Sequence, residues 1–221
     1  MIVAERKPLH EIVENVKGLE HLLVVGCNTC VAVCLAGGEK EVAVLSSQLR
    51  LALRDDPPQI VERSVERQCE EEFNTPLAAD IAAADAVLSM ACGVGVQTLA
   101  EQFPDAIIYP ALNTTFMGRP EERGIWSERC QGCGNCVLDK FGGVCPISRC
   151  SKSLLNGPCG GSQNGKCEVD PQNIDCAWQL IYDRLSRIGQ LERLLEIEPP
   201  KDWSTSRDGG PRKIVRRDMV L

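Results

Sequence analysis

Histidine is almost missing from this chain, with His10 and His21 the two examples in 221 residues. That sets aside imidazole both as a general base and as the usual nitrogen ligand of zinc. Aromatic residues make up 4%, too few to build a large apolar cage around a ligand. No apolar run approaches the roughly 20 residues of a membrane-spanning helix, so no membrane span is expected. The start, MIVAERKPLHEIVENV, has no apolar signal core; this argues against a secreted disulfide framework and for a cytoplasmic location. The phosphate-binding pattern G-x-G-x-x-G is nowhere complete, so no flavin or nucleotide fingerprint is read. A net charge of −7 argues against nucleic acid as the main partner.

Cysteine is what the chain has in excess. Residues 130–176 hold eight of the thirteen. The segment opens Cys130-x2-Cys133-x2-Cys136, reaches Cys145-Pro146, and continues through Cys150, Cys159, Cys167 and Cys176. Three thiolates at two-residue gaps followed by Cys-Pro is the ligand arrangement of cluster-binding ferredoxins, here with a longer loop after Cys136. Interspersed glycines let backbone N–H groups approach sulfur. Eight thiolates satisfy two four-sulfur sites with none left over. Zinc at one four-cysteine site is the alternative, although a zinc ribbon needs only paired C-x2-C knuckles.

The N-terminal half alternates strand and helix. Residues 8–18 place Leu9, Ile12, Val13 and Val16 at helical spacing. HLLVVGC (21–27) is a continuous apolar run, the mark of a buried parallel strand. A helix is predicted from Glu39 to Leu53, then strands at 59–69, 85–93 and 106–112, with helices at PLAADIAAAD and VGVQTLAEQF between them. The fold class read from this is α/β: a doubly wound parallel sheet, a small cysteine-rich, loop-rich segment, and a C-terminal helix. The domain limits read are 1–120 for a flavodoxin- or Rossmann-like unit, 121–177 for a ferredoxin-like cluster-binding unit, 178–198 for the helix and 199–221 for an extended tail. Parallel crossovers bring the strand carboxyl ends to one edge. The other five cysteines fall there: Cys27, Cys30 and Cys34, with Cys69 ending the second strand and Cys92 the third. Cys27, Cys30 and Cys34 with either Cys92 or Cys69 make a third candidate foursome, Cys92 being favoured because ACG repeats the strand-Cys-Gly ending of VVGC. CAWQLIYDRLSRIGQLERLLEIE (176–198) reads as one amphipathic helix capped by Asp175 and broken at Gly189 or Pro199-Pro200. The tail carries Trp203, Ile214, Val215, Met219 and Val220 as apolar anchors.

GCNTCVAVCLAGG, ERQCEEEF, ACGVGVQ, PALNTTFMG, CPISRCSKSLLNGPCGG, GKCEV and DCAWQLIYDRL together resemble the small, MetV-type cysteine-rich subunit of bacterial methylenetetrahydrofolate reductases, the methylenetetrahydrofolate reductase C-terminal domain family. The resemblance runs from about residue 20 to 195. It implies an accessory iron–sulfur subunit, with no complete active site of its own, passing electrons to the flavin of a TIM-barrel reductase partner. It also implies larger assemblies with heterodisulfide-reductase-like or hydrogenase-like electron donors.

Two or three [4Fe-4S] clusters acting as an electron relay are therefore expected. One grouping places Cys130, Cys133 and Cys136 with Cys176, and Cys145, Cys150, Cys159 and Cys167 together. The competing expectation is a zinc-stapled docking subunit of the same reductase with no redox role. A thiolate-based transferase using Cys69 or Cys92 ranks last, for want of a base histidine.

Overall fold

The computed structural model describes residues 1–216 and Asp218; the expected tail anchors Met219 and Val220 lie outside the described residues. The chain forms two compact units, Met1–Ser127 and Glu128–Leu221.

The first unit is built on a four-stranded parallel sheet of β2 (His21–Cys27), β3 (Gln59–Val65), β4 (Ala86–Met90) and β5 (Ile108–Pro110), in the order β3-β2-β4-β5. Because β2 runs between two neighbours with helices over both faces, every residue from Leu22 to Val25 is buried. The alternation of the strand divides them. Leu22 and Val24 pack with Leu88 and Met90 under α1 (Leu9–Val16) and α3 (Glu39–Ala52). Leu23, Val25 and Val87 pack on the opposite face with Ile81 of α5 (Ala78–Ala83) and Leu99 of α6 (Gly93–Gln102). Each such Leu or Val contributes roughly 1.5–3 kcal/mol by leaving water. The sheet is doubly wound, as its alternating pattern predicts, and HLLVVGC is the buried parallel strand expected, placed between β3 and β4.

Three details differ from expectation. The second strand ends at Val65, not Cys69, because Gln68 turns inward and its amide is used elsewhere. The third and fourth strands are shorter than 85–93 and 106–112. A second sheet was not anticipated: β1 (Ile2–Arg6), β6 (Leu112–Glu122) and β7 (Ile125–Cys130) in the order β1-β6-β7. Its β1 pairs antiparallel with β6, from Ile2 opposite Met117 to Arg6 opposite Leu112. Five residues at a chain start announce no partner that far away in sequence.

The second unit has a small core. Its α8 (Ala177–Arg187) buries Trp178, Ile181 and Leu185 against Phe141, with the Phe141 and Trp178 rings edge to face at 5.4 Å. The predicted helix through residue 198 stops at Arg187, where Gly189 adopts φ +68° and turns the chain; Leu191–Leu195 is a separate 3-10 turn. Cys176, not Asp175, occupies the N-cap position. Asp175 instead accepts a bond of 2.6 Å from Lys166. Among the described residues no helix is long and apolar enough to cross a membrane.

Candidate metal centres in two cysteine groups

All thirteen cysteines are unpaired thiols. At the sheet edge, the residue that organises them is Gln68, fully buried in the loop after β3. Its Nε2 donates to the Val25 carbonyl at 2.9 Å and the Gly26 carbonyl at 3.1 Å. Its Oε1 accepts from Ser89 Oγ at 2.6 Å, and its backbone carbonyl accepts from Asn74 Nδ2 at 3.0 Å. One side chain thus ties the loop to the ends of both β2 and β4. Cys27 closes β2, and Cys92 is the N-cap of α6 just past β4. Cys69 follows Gln68 directly and is brought beside both.

The electrostatics agree with that placement. Although Cys69 is an exposed residue, its thiol is pushed up, first by partial burial of the sulfur and then by the neighbouring Cys27 and Cys92. Cys27 Sγ lies 3.9 Å from the Glu66 carbonyl. Cys34 has contacts of its own. It follows α2 (Cys30–Val33) and is buried, with Sγ 3.1 Å from the Cys30 carbonyl and 3.5 Å from that of Ile2. Burial pushes its thiol up and nearby Cys30 adds to that, while the Ala4 amide opposes. Cys34 also lines a cavity of about 480 Å³ with β1, Phe116, Ile125 and Trp126. Cys69 therefore lies near Cys27 and Cys92, and Cys27 and Cys92 share a buried cluster with Ala4 of β1, the strand whose Ile2 carbonyl Cys34 Sγ approaches.

In the second unit, Cys130 and Cys136 are exposed and Cys133 is half-buried. The Gly132 amide donates to Cys130 Sγ at 3.4 Å. Cys145 and Cys150 bracket the single turn α7 (Pro146–Arg149). Cys150 packs with Cys176 in the cluster of Phe141 and Trp178. Cys167 Sγ lies 3.4 Å from Ser151 Oγ; that hydroxyl, then the amide of Val169, draws the thiol below its ordinary range against a weak opposing effect of burial. Cys159 Sγ is 3.6 Å from Glu168 Oε1, and Glu168 pairs closely with Lys152. Residues 150–152, 159 and 167–168 are thereby drawn together. Backbone bonds from Cys167 to the Ile174 carbonyl (2.9 Å) and from Cys176 to that of Gly165 (2.8 Å) hold the segment in place.

Among the described residues no three or more His, Cys, Asp or Glu side chains converge as one group able to hold a metal ion. The donor chemistry nevertheless fits a thiolate-bound centre. The segment contains no histidine, and the sulfurs of Cys130 and Cys167 already receive backbone or hydroxyl donors, the outer-shell contacts that stabilise bound thiolate.

Sequence reasoning did not single out Gln68, Ser151, or three residues of the C-terminal arm, Lys201, Thr205 and Arg212. Gln68 and the arm residues bond mainly to backbone carbonyls, and Ser151 meets a sulfur sixteen residues away; neither kind of contact leaves a spacing pattern to read. The arm's apolar anchors are not buried: Trp203, Ile214 and Val215 are exposed.

Residues 109–204 match a family model described as Methylene-tetrahydrofolate reductase C terminal. The match takes in all eight cysteines of the second unit and connects that part of the chain with methylenetetrahydrofolate reductase. No curated protein and no solved structure matches the chain.

Proposed function

We propose that this chain is the electron-relaying iron–sulfur subunit that serves a flavin-containing methylenetetrahydrofolate reductase. The observation that carries the reading is thirteen unpaired cysteines, eight of them within residues 130–176, with donors directed at the sulfurs of Cys130 and Cys167, in a chain whose residues 109–204 match the reductase family model. Bound to these thiolates, [4Fe-4S] clusters would supply one-electron transfer at potentials tuned by burial and by N–H···S bonds. Cys130, Cys133, Cys136, Cys145, Cys150, Cys159, Cys167 and Cys176 would hold two such groups in the second unit. Cys27, Cys30 and Cys34, with Cys92 or Cys69 as the fourth ligand, would hold a third. Gln68 keeps Cys69 over the sheet edge, Ser151 steadies Cys167 as thiolate, and Phe141 and Trp178 screen Cys150 and Cys176 from water. The reductase flavin, a two-electron carrier, would pair the electrons for reduction of a methylene to a methyl group. Heterodisulfide-reductase-like or hydrogenase-like proteins are the donors in keeping with this role, in a reducing compartment that keeps thirteen thiols free.

Anaerobically purified protein should carry about eight to twelve irons per chain, four per cube, and show broad visible absorption that dithionite bleaches. A colourless protein with zinc and no iron would overturn the relay and leave the zinc-stapled docking subunit. The small core of the second unit favours that second reading to this extent: a unit with few buried apolar residues gains much of its stability from a bound metal.

A further inference from the structure

The C-terminal arm folds back onto the loop Cys130–Cys136, within the second unit. Lys201 Nζ donates to the Asn135 carbonyl at 3.1 Å. Thr205 Oγ1 donates to the Cys133 carbonyl at 2.9 Å. Arg212 Nη1 donates to the Gly132 carbonyl at 2.7 Å and to that of Thr205 at 2.9 Å. The fit is close: Gly134 has φ +84°, and a Cβ there would stand 2.2 Å from the Thr205 carbonyl oxygen. The arm is itself shaped for this. Asp202 Oδ1 accepts from the Ser204 amide at 2.9 Å, and Ser206, 5% exposed, accepts from the Asp208 amide at 3.1 Å. These bonds stabilise two 3-10 turns that present Thr205 and Arg212 side by side.

Three carbonyls of a four-residue stretch are therefore held on the arm's side. In a planar trans peptide the C=O of one residue and the N–H of the next point in opposite directions. Holding the carbonyls of Gly132, Cys133 and Asn135 outward turns the N–H groups of Cys133, Gly134 and Cys136 away from the arm. The neighbouring Gly132 amide already donates to a cysteine sulfur. We propose that Lys201, Thr205 and Arg212 are positioning residues: the arm is a clamp that fixes these amides as donors toward the thiolates of Cys130 and Cys136, the Cys133 thiol itself lying 3.7 Å from the Asn135 carbonyl. Two of its three donors also carry positive charge to the loop, which stabilises negative charge gathered on sulfur. The role in tuning a cluster rests on the reading above; the clamp on the backbone does not.

The test uses full-length protein, wild type against Thr205→Val/Arg212→Gln, by hydrogen–deuterium exchange of the peptide covering residues 130–137. Exchange in the variant should be about tenfold faster, the effect of losing one to two net hydrogen bonds, while the peptide covering 163–176 is unchanged. Thr205→Ser, which keeps the hydroxyl, should exchange as wild type. If the double variant does not fold, the Thr205→Val and Thr205→Ser pair decides the matter alone. Equal exchange in Thr205→Val and wild type overturns the clamp. In iron-loaded protein Arg212→Gln should also move a reduction potential to more negative values; an unmoved potential overturns the tuning role. Faster exchange in a protein that takes up no iron would sink the relay and leave the clamp standing, so the two failures are distinguishable.

Discussion

Removing the side chain of Gln68 should be among the most damaging single changes in the first unit. Gln68→Ala deletes donors to the Val25 and Gly26 carbonyls and the acceptor of Ser89 Oγ. Each bond has a net worth of about 1 kcal/mol, and a buried group left without a partner costs about 1–3 kcal/mol. Ser89 is fully buried, so its hydroxyl cannot turn to solvent for compensation. The cavity left by the missing amide adds to this. The sum is about 3–5 kcal/mol, a large share of the 5–15 kcal/mol typical of a folded domain. Urea unfolding followed by far-UV circular dichroism should show the midpoint fall with little change in slope. Alkylation of Cys69 should also become faster, because the loop that carries it is no longer tied to the strand ends. A loss below about 1 kcal/mol, within the range of an ordinary surface substitution, would refute the idea that Gln68 holds the loop. It would also remove the physical basis for grouping Cys69 with Cys27 and Cys92.

Other outcomes follow from the same geometry. Leu88→Ala, at a fully buried site in the centre of the sheet, should cost about 2–5 kcal/mol in the same unfolding assay. Gly134→Ala should displace the arm, since φ is +84° and the Thr205 carbonyl oxygen occupies the place of the new methyl; faster proteolysis after residue 199 would report it. In metal-free protein, Cys34 has a thiol raised by burial, so the folded state holds that proton more tightly than the unfolded chain does. Its contribution to stability is intact at neutral pH and is lost as pH rises through the range where free thiols ionise. Cys34→Ala should flatten that alkaline loss, measured as urea midpoints over a pH series. Cys167 has the opposite sign: its thiol is drawn down by Ser151, so its contribution is present above the ordinary thiol range and is lost as pH falls through the depressed value. Ser151→Ala should raise the pH at which Cys167 becomes reactive to iodoacetamide.

Residues 21–27 declare a buried central strand because a strand flanked and covered on both faces needs apolar side chains at every position, and that demand is local. The stripe of α8 is legible for the same reason: Trp178, Ile181 and Leu185 recur at helical spacing whatever they pack against. The abundance of cysteine, the near-absence of histidine and the clustering in residues 130–176 likewise belong to the sequence alone. Pairing of β1 with β6, the inward turn of Gln68 and the return of the arm to Gly132, Cys133 and Asn135 belong to the tertiary structure. The physical reason is shared. These arrangements are made largely by hydrogen bonds to backbone carbonyls and amides, which every residue type carries; which of them meet is decided only when distant segments are folded together.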